Sequence, residues 1–180
     1  AVDESGNTLV STVTDSEGLY AMRVATNSAM RVRISARLLQ TVGVTWDVKV
    51  TDNTAADALY AAQGDIFNSG TTASTRSFNM PSGWDGTSYA ADRSAAPFAV
   101  LDAIYDTMQK FAAADSSLEF PALEIHWSAN NNPASGDLAS GDIGTSFYSS
   151  GKIYLLGDAD TDTDEYDRHV LIHEWGHYFE

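Results

Sequence analysis

The chain has 180 residues, 43% of them hydrophobic and 19% charged, which suits an ordinary domain with a real core and argues against wholesale disorder. Lys plus Arg number 10 against 25 Asp plus Glu, a formal charge of −15, and this excludes nucleic acid as a partner because phosphate binding needs a basic footprint. There is no Cys, so disulfides, thiolate metal sites and cysteine nucleophiles are excluded, and any metal must be held by His, Asp, Glu or backbone oxygen.

The first predicted elements are strands. Leu9–Thr14 and Leu19–Val24 flank Asp15-Ser16-Glu17-Gly18, a tight-turn composition. Met30, Val32 and Ile34 then alternate with Arg31, Arg33 and Ser35. Val44, Trp46, Val48 and Val50 alternate with Thr45, Asp47, Lys49 and Thr51. A period of two marks half-buried antiparallel strands. Residues 1–51 therefore predict a small antiparallel β-sandwich that lacks its opening strand. Residues 52–94, rich in Ala, Ser, Thr, Asn and Gly, predict a connecting region with little regular structure, pinned to the core by Phe78, Trp84 and Tyr89.

Ser94 with Pro97 predicts a helix start, and Phe98, Leu101, Ile104, Tyr105, Met108 and Phe111 keep helical spacing to about Ala114. Phe120–Trp127 predicts a strand with Leu123, Ile125 and Trp127 on one face and Glu124 and His126 on the other. Residues 130–144 form a polar, Gly-rich loop. Ser146-Phe147-Tyr148, a Ser149-Ser150-Gly151 turn and Lys152–Leu156 predict a β-hairpin. The last segment, 164–180, predicts one helix with acidic residues in its first turn, at the positive end of the helix dipole. The fold class is therefore α+β.

That last helix contains H-E-x-x-H as His173-Glu174-x-x-His177. Residues four apart on a helix are offset by about 40° and stacked one turn apart, so the two imidazoles can converge on one tetrahedral metal. Glu174 sits about 100° from His173, beside the ligands, where it can act as base on a water that zinc acidifies. The apolar residues Leu171, Ile172, Trp175, Tyr178 and Phe179 are expected on the opposite face. Gly176, inside the helix, costs about 1 kcal/mol relative to Ala and is expected to admit a close neighbour.

Two resemblances follow. Thr14-x-x-x-Gly18-x-Tyr20 resembles the repeat of carboxypeptidase-regulatory-like β-sandwich modules, and it is equally the pattern of any small β-sandwich with a glycine turn. The order helix, strand, hairpin, H-E-x-x-H helix over 95–180 resembles the N-terminal, upper half of the zincin metallopeptidase fold. More narrowly, Ser146-Phe147-Tyr148 through Leu155-Leu156-Gly157-Asp158 to His173 resembles the thermolysin-like (gluzincin) pattern, from which Ser146, Tyr148 and Leu156 depart. His173 to Glu180 is also similar to secreted bacterial proteins that pair a regulatory-like sandwich with a metallopeptidase domain. The resemblance implies a zinc peptidase in which His173 and His177 bind the metal and Glu174 is the general base. It implies that Ser146, Phe147 and Tyr148 form an edge strand that pairs with a peptide or protein substrate.

A catalytic zinc needs a third protein ligand. In the group with a His at the tenth residue past the first His it would be position 183, and in the thermolysin-like group it is a Glu on a later helix, so the expectation is the N-terminal part of a longer enzyme, inactive by itself. His126 and Glu180 are the other candidates. His169, one turn before His173, is read as lining the cleft. Asp158, Asp160, Asp162 and Asp164 alternate in a loop that could offer oxygens to calcium or could cap the helix through Asp162 or Thr163. No apolar run reaches the roughly 18 residues of a membrane span, and no signal peptide stands at the N-terminus. The resemblance places the protein outside a bacterial cell or on its surface. Oligomeric state has no sequence signal. The alternative of another class is a non-catalytic binding or adhesion module built from a β-sandwich and a degenerate zincin half.

Overall fold

A computed structural model describes all 180 residues. The elements in chain order are β1 (Ala29–Met30), β2 (Arg33–Ser35), β3 (Arg37–Gln40), β4 (Trp46–Asp52), β5 (Ala58–Leu59), β6 (Ala61–Gln63), β7 (Phe67–Asn68), α1 (Ala96–Ala114), β8 (Leu123–Trp127), β9 (Phe147–Ser149), β10 (Lys152–Leu155) and α2 (Arg168–Phe179). The content is α+β. The chain forms two units, one of residues 1–35 and 61–79, the other of 36–60 and 80–180.

The first unit is held by short pairs. β1 runs antiparallel to β7 and β2 antiparallel to β6, and Val2 bridges Thr8 and Arg31. The expected turn at Asp15–Gly18 forms. The Asp15 carboxylate accepts from the N–H groups of Glu17 and Leu19, and Gly18 takes a φ of +75°. Its expected flanking strands do not form. Leu9, Val13 and Leu19 stay 50%, 66% and 62% exposed, so no apolar burial stabilises a ladder there. An isolated two-stranded hairpin is marginal in water, and here only the local turn survives.

The second unit corrects the expected division at residue 51. Its six-stranded sheet has the order β3-β4-β8-β10-β9, with β5 paired to the end of β4. Thus β3 and β4, all but their last residue expected in the N-terminal sandwich of 1–51, lie in the same sheet as β8. The reason is burial: Trp46, Val48 and Val50 alternate onto the face that the core covers, and β4 aligns parallel to β8 with Val48 opposite Leu123 and Val50 opposite Ile125. Residues 52–94 likewise carry β5, β6 and β7. Trp84, expected to pin this region to the core, is half exposed and packs edge-on against Tyr89.

β8 and β10 are parallel, with Ile125 opposite Ile153 and Trp127 opposite Leu155. These residues and those of β4 face α1 and α2, where Ile104, Met108, Leu171 and Trp175 complete the core. Helix α1 starts one residue later than Ser94 would place it. Its N-cap is Ala95, without a side-chain cap, and the N–H of Ala95 is satisfied by Pro81 O instead. The β9–β10 hairpin turns through Ser150 and Gly151, both with left-handed φ (+51° and +81°), as a two-residue turn between twisted strands requires. β9 ends the sheet order, so its outer edge is unpaired within the sheet.

Helix α2 begins at Arg168, not Asp164. Asp167 is its N-cap, accepting from the N–H groups of His169 and Val170. Asp164 and Glu165, expected in the first turn, are drawn inward: Asp164 accepts from Ser146 Oγ, and Glu165 pairs with Arg93. Tertiary partners overrode the dipole preference here. The helix leans on α1 through Phe111, which packs on Trp175 and Phe179, and through Arg168, which pairs with Asp106 at 2.6 Å.

Candidate metal centre

Burial of Leu171 and Trp175 against the sheet sets the rotation of α2. That rotation turns His173 and His177 to the exposed side. Their Nε2 atoms approach to 3.3 Å, with ring planes 87° apart. Two nitrogens about 2.05 Å from one tetrahedral zinc would stand about 3.3 Å apart, so the pair matches the spacing of two zinc ligands. Two imidazoles and the adjacent carboxylate are also the donor types that zinc takes. Glu174 Oε1 lies 4.0 Å from His173 Nε2, and its side chain is only 10% exposed. It borders an open pocket lined also by Thr145, Ser146, Asp164, His169 and His173. His169 thus lines the cleft, as expected. The apolar face holds in part: Leu171 and Trp175 are buried, whereas Ile172 and Phe179 remain over a third exposed. Gly176 admits no close neighbour; a Cβ there would meet nothing within 4 Å.

Of the expected edge-strand residues, Phe147 and Tyr148 lie in β9 and are half-buried. Ser146 is different. It is buried, its Oγ donates to Asp164 Oδ2 at 2.5 Å and accepts from Leu156 N–H at 2.9 Å. Its side chain is committed to the fold and is not free for a substrate. Burial pushes the Asp164 carboxyl up, with Asp162, Asp167 and Glu174 adding to it and the Ser146 hydrogen bond opposing.

His126 cannot be a third ligand to the α2 pair. It projects from the face of β8 opposite Ile125 and Trp127, and those two face the helices. Glu180 sits at the C-cap, its N–H bonded to Gly176 O. In the acidic loop, Asp158 accepts from Asp160 N–H and Asp164 turns to Ser146. The one set of three or more His, Asp and Glu ligand atoms within 4.8 Å of one another is Asp57, Glu124 and His126.

Sequence reasoning missed the support beneath α2. Arg93 Nη1 donates to Glu165 Oε1 at 2.6 Å, Arg93 Nη2 donates to Gly157 O, and Trp127 Nε1 donates to Glu165 Oε2 at 3.2 Å. The Arg93 and Glu165 side chains are 6% and 0% exposed. Burial raises the Glu165 carboxyl, and Arg93 opposes that. The partners are 72 residues apart, so no local pattern announced them. Comparison with protein-family models, with curated proteins and with solved structures gives no match.

Proposed function

We propose that the chain carries the active-site helix of a zinc-dependent peptidase, in which His173 and His177 hold the metal and Glu174 is the general base for peptide-bond hydrolysis. The observation that carries this reading is the 3.3 Å approach of the two Nε2 atoms on a helix whose rotation the core fixes. Zinc held there supplies Lewis acidity toward water and a carbonyl oxygen. Glu174, beside the imidazoles and largely shielded from solvent, takes the proton of the attacking water and hands it to the leaving amine. The free edge of β9 offers backbone N–H and C=O groups to an extended peptide, with Phe147 and Tyr148 as its side-chain contacts. Ser146 acts indirectly, by tying this strand to Asp164.

No third His, Asp or Glu atom groups with the two imidazoles within 4.8 Å. In this reading the third ligand comes from residues outside 1–180. The zincin and thermolysin-like kinship, the regulatory-like sandwich, the peptide or protein substrate and the extracellular setting belong to the same proposal. No helix is long and apolar enough to cross a membrane.

The test follows zinc at this helix through the imidazole NMR signals of His173 and His177, and peptide turnover in a polypeptide that continues past Glu180. Zinc should shift both rings in the 180-residue chain, weakly, because two ligands leave the ion poorly held. His177→Ala should abolish the shift of His173. Glu174→Gln should keep the shifts yet lower turnover by about 10²–10⁴. Rings indifferent to zinc, or full turnover in the Gln variant, would refute the reading.

A further inference from the structure

The sheet face turned away from α1 and α2 gathers a different set of ligands. Glu124 and His126 stand two apart on β8, so their side chains share that face. Asp57 comes from the turn after β4, where Ala56 and Asp57 both take left-handed φ (+54° and +56°). One ligand atom from each of the three lies within 4.8 Å of the other two. Asp57 Oδ1 is 3.2 Å from His126 Nδ1. The buried Thr51 Oγ1 is 3.2 Å from both that nitrogen and Glu124 Oε1. Its single proton can serve only one of them. Glu124 and His126 thus meet at one hydroxyl, and Asp57 meets the same imidazole nitrogen.

The ring is held in place. His126 is 1% exposed and stacks on Tyr154 at 4.5 Å, and Tyr154 stacks on Phe147 at 4.9 Å. Nε2 is buried without a partner, so the polar connections of the ring run through Nδ1 alone. Burial holds its pKa below the ordinary value. Lys152 and Lys49 add to that, and Asp57 and Glu124 oppose it.

We propose that Asp57, Glu124 and His126 form a second divalent-metal site, across the sheet from His173 and His177, for an ion that accepts mixed carboxylate and imidazole ligands, such as Zn²⁺ or Mn²⁺. It stands independently of the peptidase reading. Lys49 is the competitor: its Nζ lies 3.2 Å from Glu124 Oε1, and its side chain is 43% exposed, so it can swing into water when an ion arrives. Lys152, opposite Glu124 in the β10 register, adds a second positive charge that the ion must overcome.

The experiment measures equilibrium binding of Zn²⁺ and of Mn²⁺ to the His173→Ala/His177→Ala chain, so that α2 contributes no histidine ligand. Both residues are exposed, and the core is untouched. The double variant should still bind one ion. Adding Asp57→Asn, a half-exposed and isosteric change, should weaken that binding on the order of tenfold or more. Adding Lys49→Gln should strengthen it, because a cation no longer competes for Glu124. Thermal melts without metal confirm that each variant is folded. No stoichiometric binding of either ion by the double variant, unchanged affinity with Asp57→Asn, or weaker affinity with Lys49→Gln would each overturn the assignment.

Discussion

Replacing Glu165 by Gln tests whether the buried pair with Arg93 supports α2. Gln keeps the volume and can still accept from Trp127, but it leaves the Arg93 guanidinium without a counter-charge. That group is 6% exposed, touched otherwise by Gly157 O and by the rings of Tyr89 at 4.8 Å and Trp127 at 5.3 Å. Breaking a buried ion pair from one side costs about 3–5 kcal/mol, because the remaining charge stays desolvated. Domains of this kind hold roughly 5–15 kcal/mol in all. With a urea dependence of about 2 kcal/mol per molar, the unfolding midpoint should fall by about 1.5–2.5 M. The compensated variant Arg93→Met/Glu165→Leu, which removes both charges, should recover most of the loss. The assay is urea unfolding followed by Trp fluorescence. A midpoint shift below about 0.3 M in Glu165→Gln would refute the reasoning, and so would a double variant as unstable as the single one.

Three further outcomes are expected. Gly176→Ala should raise stability by about 0.5–1 kcal/mol in the same urea assay, because a Cβ there meets nothing and the helix gains propensity; a loss would show that the position is crowded. Asp164→Asn should change the pH profile of stability. Burial lifts the Asp164 carboxyl above its unfolded value, so its protonated form favours the fold. That contribution is fully present below about pH 4 and is lost as pH rises through the higher folded value. Thermal melts should therefore show the Asn variant gaining on the parent as pH rises above about 4; a constant difference would contradict this. Ser146→Ala should loosen β9 from the loop before α2, seen as faster amide exchange in Phe147–Ser149; unchanged exchange would mean that the Ser146–Asp164 bond does not hold the strand.

What could be read from the sequence was local. The spacing of Phe98 to Phe111 marked α1, the Ser150-Gly151 pair marked the hairpin, and the i, i+4 histidines marked the convergence now seen at 3.3 Å. Alternation also placed Glu124 and His126 on one face. What could not be read depended on distant partners. Val44–Val50 announced a strand but not that it would lie beside β8, because a period of two states that one face is buried and not against what. Leu9–Thr14 showed strand composition without a partner that buries it. The start of α2 was misplaced because Asp164 and Glu165 bond to Ser146 and Arg93, far away in the chain. Asp57 escaped notice because only two consecutive left-handed residues bring it to His126.

Those same long-range bonds determine how the candidate site is held. The residues between β10 and α2 are fastened twice. Ser146, at the start of β9, takes Asp164, and Arg93, just before α1, takes Glu165 and Gly157 O. Both fastenings lie within four residues of the α2 N-terminus, and Asp167 caps the helix immediately after them. Leu171 and Trp175 then fix its rotation from the core side. The helix that bears His173 and His177 is thus located by its N-terminal anchor and by its buried face. The edge strand β9 is located by the same Ser146–Asp164 bond. A shift of β9 along its axis would pull on Asp164 and so on the start of α2. The distance between the free edge of β9 and the imidazole pair is therefore set by buried polar bonds as well as by apolar packing. Such bonds are costly to break when their partners have no water to turn to.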